Sequence, residues 1–264
     1  MNSQRNAATG ALAAVLLTTV IAAASAPVSA GTTAEPHSPA PAKPGQTATV
    51  FVVHALPETP VSVQVDGAQE RSDVQPGTIL GPLRLAPGSH IVTVTGADPA
   101  WTLDAEVTVR AGRSADVVLH RPANVGGEPT VTTYRNPLAP VARGKGRVMV
   151  AHTATVPPAD VRVDGRVVFA NIANGEFATA EVPAGSHQVS IVPTGSREPV
   201  LLGPLELAAR PATLTQVFAV GRPQSGSMDV IVQTQPLDTR GSTAPEKVNT
   251  GSAGLVAGVP AGTG

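Results

Sequence analysis

Apolar and polar positions alternate in short runs from Ala48 to Leu237, and most runs end at a cluster of Gly, Pro, Asp or Asn. A period of two sends successive side chains to opposite faces, so each run predicts a strand with one face toward a core. Seven strands are predicted first, at 48–54, 60–65, 78–85, 90–95, 101–109, 114–120 and 129–136. Seven more follow in the same order, at 146–152, 160–164, 177–182, 187–192, 199–207, 213–220 and 228–235. Short strands spaced by turn signals predict an all-β fold built as a sandwich or barrel.

The two sets are copies of one module. "TVFVVHALPETPVSVQVDG" ends at Asp66-Gly67, and "RVMVAHTATVPPADVRVDG" ends at Asp164-Gly165. "APGSH" closes on His90 and "PAGSH" on His187; Arg121-Pro122 returns as Arg222-Pro223, and Pro137-Leu138 as Pro236-Leu237. The modules therefore span 47–138 and 146–237, with a linker at 139–145. The eight residues from Ala139 reach about 27 Å at most, so the modules are neighbours. Asp-Gly between two alternating runs is a hairpin signal, because Gly adopts positive φ cheaply and Asp tolerates it. The Pro and Gly before His90 and His187 turn the chain into another strand.

A β-run closing on His, a proline-bearing loop, Val-x-Val-Asp-Gly and then Gly-Ser-His resembles the bacterial family called domain of unknown function 4397. The matching pieces are "VFVVHALPETPVSVQVDG" with "LAPGSHIVTV", and "VMVAHTATVPPADVRVDG" with "VPAGSHQVSIVPTG". The resemblance implies two tandem immunoglobulin-like or transthyretin-like β-sandwich domains on an exported or envelope protein, with no assigned activity. It carries over no catalytic residue. The first copy departs from the pattern more, with "DVQPGTILGPLRL" where the second has "NIANGEFATAEV".

The flanks differ in texture. Residues 1–30 have a polar start with Arg5, an apolar run from Ala11 to Ala24 and small residues at Val28-Ser29-Ala30, the layout of a secretory signal peptide cleaved after Ala30. An uncleaved anchor is the alternative; with cleavage no membrane span remains. The leader 31–46 and the tail 238–264 are small and polar, and are expected to be disordered. His37 in the leader is expected to be solvated.

Composition narrows the function. The chain has no cysteine, so an exported protein of this kind lacks a disulfide framework and each unit relies on its apolar core. Without Arg5, 17 basic residues face 19 acidic ones, which gives no electrostatic reason for a nucleic-acid partner. Six aromatics leave almost no rings for stacking bases or sugars.

No Gly-x-Ser-x-Gly elbow, His-Glu-x-x-His, phosphate loop or cysteine nucleophile occurs, so no catalytic residue and no cofactor are assigned. Ser89 beside His90, and Ser186 beside His187, point to opposite faces of a strand and make no catalytic pair.

Counting seven strands up and down places His54 and His90 at one rim, and His152 and His187 at the corresponding rim of the second copy. Such a rim suits Zn²⁺ or a response to pH. No third ligand repeats, however: Glu58 aligns with Val156, and Asp160 with Ser62. The other reading has each His capping a strand end through its ring nitrogens. His120 aligns with Gly221 and has no repeated role. "RGKGR", Arg143 to Arg147, is read as a solvated linker, with contact to anionic wall polymers or headgroups as its alternative.

The expectation is an exported, non-catalytic protein, secreted or attached to the envelope, that binds an unidentified protein or cell-wall polymer, with strand addition at a sheet edge as the means. The alternative is a metal- or pH-responsive protein using the paired histidines.

Overall fold

The computed structural model describes residues 46 to 240 apart from Glu58, Asp98 and Val125. The signal segment, nearly all of the leader and most of the tail lie outside the described residues. The described chain is almost entirely β-structure, arranged as two sandwich-like units.

The first unit contains β1 (Ala48–His54), β2 (Val61–Val65), β3 (Ala68–Val74), β4 (Ile79–Leu85), β5 (Gly88–Ala97), β6 (Ala100–Val109), β7 (Ser114–His120) and β8 (Thr130–Arg135). The second contains β9 (Lys145–His152), β10 (Ala159–Val163), β11 (Arg166–Ile172), β12 (Phe177–Pro183), β13 (Gly185–Pro193), β14 (Leu202–Ala209), β15 (Thr213–Val220) and β16 (Asp229–Pro236).

Among the described residues each unit thus has eight strands where the alternation pattern predicts seven. The additions are β3 and β11, which complete the hairpins opened by Asp66-Gly67 and Asp164-Gly165. These turns carry positive φ at both residues, 51° and 78° in the first copy and 50° and 77° in the second. β3 escapes the pattern because it is a sheet edge, "AQERSDV", exposed everywhere except Val74.

The sheets are β4-β1-β7-β8 and β3-β2-β5-β6 in the first unit, and β12-β9-β15-β16 and β11-β10-β13-β14 in the second. β1 runs parallel to β7, and β9 parallel to β15, while the other pairs are antiparallel. Val50, Val52, Val117 and Leu119 point into the core of the first sandwich, with Val63 and Val92 opposite. Val148, Val150, Val217 and Ala219 do the same in the second, against Val161 and Ile191.

The alternate residues of those same inner strands form a third core. Val53, Ala55, Val118 and Tyr134 of the first unit pack with Met149, Ala151, Leu214, Phe218 and Ile231 of the second. Each fully buried side chain of this size contributes about 1.5–3 kcal/mol. The expectation that each unit relies on its own core is therefore incomplete: the central strands β7, β9 and β15 are buried on both faces and the units share a hydrophobic layer.

The connection between the units is anchored. Val141 is buried and bridges Thr239, with hydrogen bonds from Val141 N to Asp238 O (2.9 Å) and from Arg240 N to Val141 O (2.7 Å). Arg147, expected to be solvated, is buried. It donates to the carbonyls of Pro137 (2.7 Å) and Ala139 (2.5 Å) and pairs with Glu181 at 2.9 Å. It lies on the face of β9 turned toward the other unit, which is why a charge in this sequence position is not free.

Candidate functional site

The extra strand in each unit reverses the direction of everything after it, and this moves the histidines. β1 ends at His54, whereas β5 begins beside the Asp66 turn at the opposite end of the sandwich. His54 and His90 therefore do not share a rim, nor do His152 and His187. The error comes from omitting β3 and β11: one uncounted strand inverts the parity.

His90 and His187 instead lock the hairpin turns. His90 Nδ1 bonds Asp66 Oδ2 at 2.6 Å and Nε2 bonds Ala86 O at 2.8 Å; His187 bonds Asp164 Oδ2 at 2.8 Å and Pro183 O at 3.0 Å. The second carboxylate oxygen of each Asp accepts a strand amide, Ile91 N or Gln188 N, at 2.9 Å. A carbonyl and an ionised carboxylate only accept, so the clamp makes both of its bonds when both ring nitrogens donate, in the imidazolium form. Partial burial of His90 works against its charge, but the bonds to Asp66 and Ala86 outweigh it and raise its pKa. The bond to Asp164 does the same for His187. Val-Asp-Gly and Gly-Ser-His, two separate turn signals in the sequence, are two halves of one clamp. Ser89 faces elsewhere, its hydroxyl 3.0 Å from Thr108 Oγ1.

His54 and His152 are buried at the ends of β1 and β9. Nε2 of each donates to a loop carbonyl, Thr59 O at 2.7 Å and Pro157 O at 3.3 Å. Burial lowers both pKa values, which keeps the rings neutral. His120 sits on the shared face with Nδ1 2.9 Å from Arg121 O and Nε2 2.8 Å from Thr132 Oγ1. Burial lowers its pKa against the opposing bond to Arg121 O, with a smaller lowering influence from His152 of the second unit. Among the described residues no three His, Cys, Asp or Glu side chains come together as metal ligands.

A polar network lies within the shared layer. Asp116 is fully buried and accepts from Asn136 Nδ2 at 3.0 Å and from Gln216 Nε2. Gln235 Nε2 donates to Gln216 Oε1 (2.7 Å), and Ser114 Oγ to Gln235 Oε1 (3.0 Å). Burial pushes the Asp116 carboxyl up to about 6 against the opposing pull of Asn136 and Gln216. The strand registers make Asp116 and Gln216 equivalent positions of the two units, since Thr49 pairs Ser114 as Arg147 pairs Leu214. The units thus face each other reciprocally, with the equivalent residues meeting at the centre.

Reciprocity fails at the rim. On one side Asn174 Nδ2 bonds Arg121 O (3.1 Å) and Ala154 O (2.8 Å), tying the units together. The equivalent position on the other side is Pro76, which has no donor. There a groove of about 550 Å³ opens between Leu56, Pro76 and Ile79 of the first unit and Val220, Ile231 and Val232 of the second, with Asp229 at its edge. Beside it, on the other face of β16, an aliphatic slot of about 60 Å³ opens among Leu202, Leu205, Val217 and Val232. No sequence pattern announced either opening, because both depend on how the sheets stack.

The fold and these surfaces define a tandem β-sandwich protein with a joint hydrophobic layer. Within it, residues 48–159 match the family model described as Domain of unknown function (DUF4397). The match covers the first unit and reaches the start of β10, and the second unit carries the same turn clamp. No curated protein matches the chain.

Proposed function

We propose that the protein is an exported, non-catalytic binding protein that takes up an extended segment of a partner protein by strand addition along β16. The observation that carries the reading is the edge of β16, which among the described residues pairs only with β15 and has an opening on each face. An added strand alternates its side chains, one set entering the groove and the other the aliphatic slot. Val232, 45% exposed on that edge, marks where apolar contact is gained. Export rests on the layout of residues 1–30 and an extracellular or envelope setting follows from it.

The test uses the chain from Gly31 onward, immobilised and exposed to purified cell walls and to culture-supernatant proteins. A protein retained by the wild type and released by Val232→Lys, but still retained by the control Val167→Lys, supports strand addition at β16. Equal retention by Val232→Lys, or no retained protein at all, contradicts it. Export is checked by sequencing the N-terminus of the secreted chain, expected at Gly31.

A further inference from the structure

The far end of the first unit carries a feature that neither the shared layer nor the β16 edge uses. The β6–β7 turn is tight: Arg113 N bonds Arg110 O at 3.1 Å, Gly112 adopts φ +68°, and Gly112 N bonds Thr47 O at 3.0 Å. This fixes the Cα positions of Arg110 and Arg113 on either side of the turn. Arg135 of β8 is brought alongside by pairing with Ala115. The three arginines line a cavity of about 290 Å³ whose other walls include Thr108, Ser114 and Asn136, and among the described residues no carboxylate lines it. The ion pairs among the described residues involve Arg147, Arg240, His90 and His187, and none of these three.

Arg110, Arg113 and Arg135 are exposed and line one cavity without an acidic partner among the described residues, and the duplication shows that the fold does not need them. The register of β7 against β15 aligns Arg113 with Thr213 and Arg135 with Thr234, and only Arg110 has an arginine equivalent, Arg210. The second unit makes the same turn and the same strand pairing with one of the three charges. The arginines are thus a local addition to the first unit.

We propose that this cavity is a phosphate-binding site, taking the phosphate group of a phosphorylated ligand. A guanidinium presents a planar fork of donors that fits an oxyanion through two parallel hydrogen bonds. One arginine satisfies a carboxylate, which has two oxygens and a single charge. Three arginines lining one cavity offer enough donors for a tetrahedral group with more acceptor oxygens and up to two charges. The polar groups behind them are already committed: Ser114 Oγ donates to Gln235 and accepts from Asn136 at 2.9 Å, so the arginines supply the donors to the ligand. The site lies in the first unit alone and stands independently of strand addition at β16.

The experiment titrates the chain from Gly31 onward with inorganic phosphate in a calorimeter, and in parallel with phosphatidylglycerol vesicles and with a soluble poly(glycerol phosphate). Saturable binding is expected, weakened at least tenfold by Arg113→Gln and by Arg135→Gln and unchanged by Arg210→Gln, each variant melting like the wild type. The probe bound most tightly then identifies the source of the phosphate as free anion, headgroup or polymer. Absence of saturable binding to all three probes overturns the proposal, as does equal weakening by Arg210→Gln. Should one arginine variant melt early, the other still decides the outcome.

Discussion

The two units share a strand order and a turn clamp but not a surface. In the first, the outer edge β3 bears Glu70, Arg71 and Asp73. In the second, the equivalent edge β11 reads "RVVFANI" and exposes Val167 and Val168. Pro76 faces Asn174 as its counterpart, and Arg113 and Arg135 face threonines. β3 thus carries three charged side chains where β11 carries only Arg166. What both copies retain is what folding requires: inward valines, the Asp-Gly turn and the His that locks it. The groove and the arginine cavity both lie where the copies diverge.

The largest effect is expected where the copies meet. Phe218 is fully buried in the shared layer beside Tyr134, with ring centroids 6.2 Å apart. Phe218→Ala removes the ring and leaves a cavity, at a cost of about 3–5 kcal/mol measured by denaturant unfolding. Trp101, the only tryptophan and a residue of the first unit, should report that loss although the substitution is in the second.

Next comes Asp116. Its folded pKa of about 6 lies above its ordinary value of 3.8, so the folded state binds the proton more tightly. The wild type should gain stability from this group as pH falls from 6 toward 4, by on the order of 3 kcal/mol. Asp116→Asn abolishes that gain. His54, His120 and His152 act in the opposite sense, since burial depresses their pKa values and acid favours unfolding. The comparison of variant with wild type across pH isolates Asp116 from them, and parallel curves would contradict the assignment.

The smallest effect belongs to the turn clamp. His90 has a raised folded pKa, so its contribution is present below its ordinary value of 6.5 and is lost as pH rises through the folded value. His90→Gln should lower the melting temperature by about 2 °C at pH 5 and leave it unchanged at pH 9. His187→Gln should shift in the same direction.

Most of the strand framework was legible, because inward valines at every second position follow directly from burying one face. β3 was not: as an edge exposed on both faces it needs no apolar alternation. β11 carries β-formers but follows its turn without a break in the pattern, and a strand count without β3 and β11 puts His90 and His187 at the wrong end. Alternation in "SADVVLH" does not say what its polar face meets, and Ser114 and Asp116 are buried because a second sheet covers them. A sequence records which residues alternate, not what a polar face meets. The arginine cavity was hidden for the same reason, since Arg113 and Arg135 are joined only by strand pairing.

The central claim is that the two sandwiches form one cooperative body through a third core. The direct test substitutes Val161→Ala, deep in the second unit's own core, and follows unfolding through Trp101 fluorescence in the first. A joint unit predicts that the Trp101 midpoint falls together with the far-ultraviolet circular dichroism midpoint, in one transition. An unmoved Trp101 midpoint, with the circular dichroism curve split in two, would show that the sandwiches fold independently.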